Sequence, residues 1–420
     1  MNPLHGLVDV RPLRSSAAFR RLWLCGALSA VGWQLTTVAV LYQAWQLTHS
    51  SVAVGAIGLV RAVPTVVLGL VGGTLADSFD RRRLVLLTTS GQLGAAVLLA
   101  MQALAGARSL PVLLALVAAQ AGFGALGAPA RRTFPVHLLA RDQLGAGITL
   151  NQLSFQGAML VGPAIAGAVL AGWGAGGCYA ADALSFGAAW YAVLRLPRLG
   201  RPSAVGRPGA RAVWDGWRFI ARDRILTGVF LTDVLATVLA MPVSLFPVIN
   251  GERFGGSPQT LGLLFSALAF GGIAAGAASG LITRSPRPGA VMLGCAASWG
   301  AALAGLGVAH QLWLALVCLA AAGAADMWSV SSRSLIVQMA TPESHRGRVS
   351  AVDHVVGVSG PDLGNFRGGL VAAGTSPSVA VVSGGLLCLL GVAATALADA
   401  PLRGFRIPAS THDDAPLATS

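Results

Sequence analysis

GTLADSFDRRR, residues 73–83, is the short polar break between two long apolar runs at 52–76 and 84–105. About 20 mainly apolar residues are needed to cross a bilayer as a helix, and both runs reach that length. Three consecutive arginines at such a break place it on the cytoplasmic face. Reading outward with the same window gives twelve candidate spans, near 22–46, 52–76, 84–105, 110–130, 147–171, 175–195, 226–249, 260–282, 288–308, 311–332, 349–373 and 377–398. The fifth and eleventh are the richest in glycine and polar residues. The longest polar stretch, 196–224, starts as a Pro/Gly/Arg linker. Its second half sets Trp214, Trp217 and Ile220 on one face and Arg218 and Arg222 off it, which predicts a short helix lying in the membrane interface.

The composition fits this reading. Of 420 residues, 55% are apolar and 11% charged, with a mean hydropathy of +0.69. A soluble domain carries roughly 25% charged residues, so this chain cannot coat a water-facing surface. The net charge of +13 comes entirely from arginine, since there is no lysine. Of the 29 arginines, 25 fall on one side of the predicted spans and 2, Arg108 and Arg253, on the other. The basic balance therefore reports orientation, with both termini cytoplasmic in a multi-pass protein of the cell membrane, and not nucleic acid. The first apolar run is too long for a signal peptide and lacks a cleavage site, so it reads as a retained span. Cys25, Cys178, Cys295, Cys318 and Cys388 are scattered and odd in number, which excludes a disulfide scaffold or a cysteine metal site. No GxxxxGK[ST], HExxH or GxSxG is present, and no loop is large enough for a catalytic domain. These observations argue against an enzyme and against any cofactor.

A repeat divides the chain. RTFPVHLLARD at 132–142 and RSLIVQMATPE at 333–343 lie 201 residues apart, and Gly162-Pro163 and Gly360-Pro361 follow in the two halves. The expected architecture is an all-α membrane protein of twelve transmembrane helices in two pseudo-symmetric six-helix bundles. Its segments are 1–21, 22–195, 196–224, 225–398 and a tail at 399–420. In such folds the substrate sits near the midplane between the repeats.

With these residues in view, a family resemblance becomes specific. GTLADSFDRRR is similar to the loop motif GxxxDxxGRR of the major facilitator superfamily, with Asp80 in place of a glycine. AMLVGPAIAG at 158–167 resembles the exporter motif GxxxGPxxGG, with Ala158 and Ala166 in place of glycines. AFRRLWL at 18–24, LTHSS at 47–51, SPRPGAVML at 285–293, VCLAAAG at 317–323 and QMATPESHRGRVSA at 338–351 resemble the enterobactin-exporter subfamily over nearly the whole chain. That subfamily also includes macrolide exporters. The resemblance implies the major facilitator fold and a monomeric, proton-coupled secondary exporter of a siderophore-like amphipathic small molecule, working by alternating access. Macrolide or multidrug efflux is the alternative. It further implies that Gly73, Asp77, Arg81, Arg82 and Arg83 form an inner gate, with Asp77 against the eleventh span and Asp353 joining it. Gly162, Pro163 and Gly167 would supply a close-packing face. Two departures stand out. The matching loop of the second half has Arg284 at the acidic position, and VAAQAGFGALG at 117–127 lacks the arginine that many drug–proton exporters carry in the fourth span.

Five acids fall inside predicted spans: Asp182, Asp233, Asp326, Asp353 and Asp362. An ionised side chain at a helix centre costs about 2.5–3.5 kcal/mol on insertion scales. Neutralising an aspartate at pH 7 costs about 4 kcal/mol, so modest changes in hydration can move the proton. Asp233 and Asp326 lie at similar depth on the seventh and tenth spans, which line the cavity in this superfamily. They are the candidate proton-coupling pair, pairing with an inner arginine being the competing role. Asp182 reads as structural on a peripheral helix. Arg61 and Asp362 are a candidate ion pair across the outer seam, with Arg367 as a rival partner. Trp33, Gln34, Thr37, Gln120, Phe123, Phe230 and Trp328 are cavity candidates, for each of which plain packing is the alternative.

Overall fold

The computed structural model describes residues 9–196, 210–278, 280 and 285–406, without the side chains at 70, 73, 74, 76–78 and 210–212. The first half runs through α1 (Ala17–Thr48), α2 (Ser51–Ser78), α3 (Arg81–Leu104) and α4 (Leu110–Arg131), then a continuous helical stretch Leu144–Leu194. That stretch breaks at Gly174, whose φ of 64° and ψ of −169° are not helical. It therefore contains two spans, α5 (144–173) and α6 (175–194). The second half comprises α7 (Arg224–Ala240), α8 (Pro258–Ala277), α9 (Pro288–Val308), α10 (Leu312–Ala340), α11 (Arg346–Gly374) and α12 (Pro377–Ala398). Among the described residues 10 helical stretches are long and apolar enough to cross a membrane. Separating α5 from α6 and adding α11, which spans by its 29 residues, gives the twelve helices expected.

Local chemistry sets many of the starts. The side chains of Ser16, Ser50, Ser257 and Ser376 each accept a backbone N–H at the head of α1, α2, α8 and α12. Asp223 does the same for α7. Such caps satisfy donors that the first turn leaves unpaired.

One span departs from the reading at 226–249. α7 stops at Ala240, and the chain resumes through Val243–Leu245 into a short helix Phe246–Arg253. Pro242 at the break has no N–H to continue the ladder. The groups freed are satisfied by α11: Arg367 donates to the Leu239 carbonyl, and Asn365 accepts from the Ser244 N–H at 2.9 Å. Arg367 is thus committed to mending α7 and is not the rival partner expected for Asp362.

Close helix approach is carried by small residues, as membrane bundles require. A Cβ on Gly32 would meet Asp182 and Ser185 of α6, and one on Gly162 would meet Gln34 of α1. The same crowding occurs between α8 and α10 at Gly271 and Gly323, and between α9 and α12 at Gly300 and Gly385. The halves meet along two seams, α2 on α11 and α5 on α8. Each pairs the second helix of one half with the fifth of the other, as a twofold exchange of similar bundles requires. The linker helix, Ala210–Ile220, forms as expected but is docked: Gly216 lies against the Arg348 carbonyl of α11, and Ile220 packs with Val349 and Val352. Trp214 remains exposed, and Trp217 reaches the Phe230 ring at 6.4 Å.

Candidate functional site

A cavity of about 1000 Å³ lies between the halves. That is at the upper end for a drug-sized ligand site. Its walls come from α1, α2, α4, α5 and α11, with Gln92 of α3 and Val213 of the linker helix completing them. Trp33 and Thr37 of α1, Gln120 of α4, and Arg61 and Asp362 all line it, as does Thr36. The Arg61 guanidinium stands 5.3 Å from the centre of the Trp33 ring, a cation–π arrangement that holds the charge without an acid. The expected Arg61–Asp362 ion pair is not formed. The indole takes the guanidinium, and both groups line the cavity from the adjoining helices α2 and α11, Asp362 within electrostatic reach of Arg61.

Four expected cavity residues lie elsewhere. Gln34 is buried, its amide nitrogen 3.0 Å from the Met159 sulfur. Phe123 packs over Gly91 of α3, and Phe230 is buried among α11 residues and the linker helix. Trp328 donates to the Ala275 carbonyl of α8 at 2.8 Å. A helix that is apolar all round carries no moment to mark its inward face, so sequence alone could not orient these rings.

Away from the linker the cavity is closed by backbone. A Cβ on Gly58 would lie 2.6 Å from the Asp362 carbonyl oxygen, and one on Gly55 would lie 2.9 Å from that of Asn365. The second seam has the same character. A Cβ on Gly262 would be 2.5 Å from the Pro163 carbonyl and one on Gly167 would be 2.7 Å from that of Pro258. Gly162, Pro163 and Gly167, singled out as an exporter motif, thus divide their contacts between α1 and the α5–α8 seam. Toward the linker the cavity continues past Arg132, Ser350 and His354 to Gly347.

The acids form a separate group behind α11. Asp233 of α7 lies 2.5 Å from Arg333 of α10, and the same Arg333 nitrogen is 3.3 Å from Asp353 of α11. Asp326 is exposed, yet within electrostatic reach of Asp233 and Arg333, so it opens on a crevice beside them. Asp233 and Asp326 are therefore brought together, but neither lines the cavity, and Asp233 is paired. Pairing with an inner arginine is the competing role that the sequence offers Asp233, but it does not single out Arg333, because the tenth span is read as ending near 332 whereas α10 continues to Ala340. The signal was present: Arg333 is the repeat mate of Arg132, which lines the cavity.

Among the described residues, the hydrogen bonds of the loop motif stay within its own half. Asp80, at the position where the motif has glycine, caps α3 by accepting the Arg83 N–H at 2.8 Å. Arg82 donates to the Val193 and Leu194 carbonyls at the end of α6, and Arg81 meets His137 at 2.6 Å. Gly73 and Asp77 fall within α2, but their side-chain surroundings are not described, and Arg284 lies outside the described residues. Asp353, expected beside Asp77, is instead held by Arg333. Asp182 is fully buried and accepts from Thr36 at 2.7 Å and Gln120 at 2.9 Å.

Residues 9–417 match the family described as transmembrane secretion effector. The enterobactin exporter EntS of Citrobacter koseri is 28% identical over 419 residues, covering 99% of this chain and all of that protein. The enterobactin exporter EntS of Escherichia coli O6:H1 is 29% identical over 396 residues, covering 93% of this chain and 94% of its own. The crystal structure of a bacterial homologue of the iron transporter ferroportin, in an inward-facing state, shares the fold with a TM-score of 0.68. It is 15% identical and covers 91% of this chain and 98% of that one.

Proposed function

The chain belongs to the transmembrane secretion effector family of the major facilitator superfamily, and from that premise we propose that it is a proton-coupled exporter of a siderophore-like amphipathic small molecule. It acts in the cell membrane as a monomer with both termini cytoplasmic. The two halves rock about the α2–α11 and α5–α8 seams and expose the central cavity to each side in turn. The observation that carries this reading is the cavity of about 1000 Å³, sealed by glycine contacts at one end and continuing to the arginine-rich linker end at the other. That is the form of a carrier loaded from the cytoplasm. Two relatives that share nearly its whole length are named enterobactin exporters. Arg61 over Trp33 supplies a site for an anionic or aromatic group, and Asp362 faces it.

The driving force is adequate. One proton entering down about 150 mV releases roughly 3.5 kcal/mol, enough for a gradient of a few hundredfold. The group of Asp233, Asp326 and Asp353 around one Arg333 holds more carboxylates than cations, so at least one member is a natural proton carrier. Purified protein in vesicles, given an imposed acid gradient and enterobactin as probe, should move the probe against its gradient. No movement of the probe, with antibiotics carried instead, would redirect the reading to drug efflux.

A further inference from the structure

Asp182 is a buried carboxylate for which neither the seams nor the acid group has a use. Its exposure is 0%, and neutral groups alone surround it: Thr36 Oγ1 at 2.7 Å, Gln120 Nε2 at 2.9 Å and Ser185 Oγ at 3.3 Å. Among the described residues no charged group faces it from α1, α3 or α4, and on α6 the titratable neighbour is Cys178, one turn away. Burying a charge without a counter-ion is expensive unless every lone pair is satisfied or the group takes a proton. Its two longest-range partners, Thr36 and Gln120, are both cavity residues. Asp182 therefore stands one side chain behind the wall that a substrate touches.

The chemistry of that wall depends on its charge. A carboxylate can only accept, so the Gln120 nitrogen must face it and the amide oxygen faces the cavity. Thr36 likewise gives its hydroxyl proton to Asp182 and keeps its lone pairs for the cavity. A protonated Asp182 gains one O–H donor and keeps one accepting oxygen; with the proton on Oδ2, the oxygen that Thr36 and Gln120 share, it turns the Gln120 amide over and presents its N–H groups to the cavity instead. We infer that Asp182 is a proton-operated positioning residue that makes the α1–α4 wall a hydrogen-bond acceptor when ionised, selecting a substrate rich in hydroxyl or N–H donors, and reverses that polarity when protonated. The sign suits export. The deprotonated form holds substrate on the cytoplasmic side, and a proton taken from outside weakens the hold there and leaves to the cytoplasm after the return.

The inference rests on the exporter reading but adds a proton site in the other half of the molecule, and its test separates the two. The full chain is reconstituted with enterobactin as probe. Asp182→Asn should cut gradient-driven accumulation while keeping probe exchange, and should leave only the pH dependence that the acid group around Arg333 sets. Thr36→Val, which removes one donor at constant shape, should move the pH midpoint of transport by about one unit. Independently of any probe, an infrared pH titration should show the carbonyl band of a protonated buried acid in the wild type, displaced in Thr36→Val and absent in Asp182→Asn. Concentrative transport by Asp182→Asn with the wild-type pH profile overturns the inference. So does an infrared titration in which neither variant differs from wild type. Should the wild type carry no enterobactin, that substrate reading fails, and the infrared result alone decides on Asp182. Should Asp182→Asn not fold, Thr36→Val decides by the same two readouts.

Discussion

Gly58→Ala should tilt the molecule toward its outward-open form. The added Cβ would sit 2.6 Å from the Asp362 carbonyl oxygen, about 0.8 Å short of the 3.4 Å at which ordinary contact begins. The obstacle is the backbone of α11, not the tip of a flexible side chain, so α2 and α11 must separate. Overpacking of this kind costs about 1–3 kcal/mol. The cost falls only on the state in which the seam is shut, so the open state gains roughly 5- to 150-fold in relative population. Gly262→Ala at the other seam meets the Pro163 carbonyl at 2.5 Å and should act in the same direction. Spin labels at Ser50 and Thr375, at the ends of α2 and α11 that form the seam, allow the distance distribution to be measured by pulsed electron resonance. A folded Gly58→Ala protein with an unchanged distribution would refute the backbone-seal argument.

Other substitutions probe separate parts of the molecule. Arg333→Met leaves Asp233 buried without its cation and should destabilise by about 3–5 kcal/mol; thermal unfolding in detergent should show the loss, and adding Asp233→Leu should restore part of it. Arg61→Gln removes the cation that Trp33 holds at the cavity wall; losing a charged hydrogen bond to an anionic group, about 1.5–3 kcal/mol, should raise the half-saturating probe concentration roughly 10- to 150-fold in vesicle transport. An unchanged value would mean that this guanidinium does not meet the substrate. Asp80→Ala deletes the α3 cap and should cost about 0.5–2 kcal/mol in thermal unfolding, whereas Asp80→Gly should cost only a few tenths.

Spans are easy to read because crossing a bilayer imposes a length and an apolar content on each one, and 52–76 or 288–308 can satisfy them in few other ways. Glycine contacts were legible in kind, as at Gly162 and Gly167, though not in partner. What stayed hidden depends on which way each helix turns. Trp33 and Trp328 look alike in sequence, but one faces the cavity and the other serves α8. A span apolar on all sides carries no pattern to separate them. Asp182 reads as structural from sequence; its face of α6 is marked only by Asp182 and Ser185, and the partner that meets them, Gly32, lies on α1. The break in α7 was signalled by Pro242, but its repair by Arg367 and Asn365 joins residues more than a hundred positions apart.

The placement of α11 has a mechanical consequence. One side of this rod, through Ser350, His354 and Asp362, forms a wall of the cavity, while Asp353, at the edge of that face, is gripped by Arg333. Under the proposed rocking of the halves, a rod held at its flank and loaded on its face acts as a lever. Cargo bearing on the wall would load the carboxylate grip, and loosening that grip would free the wall to swing. A stroke of this kind needs no relay of side chains across the membrane, because the helix backbone is stiff enough to transmit it whole.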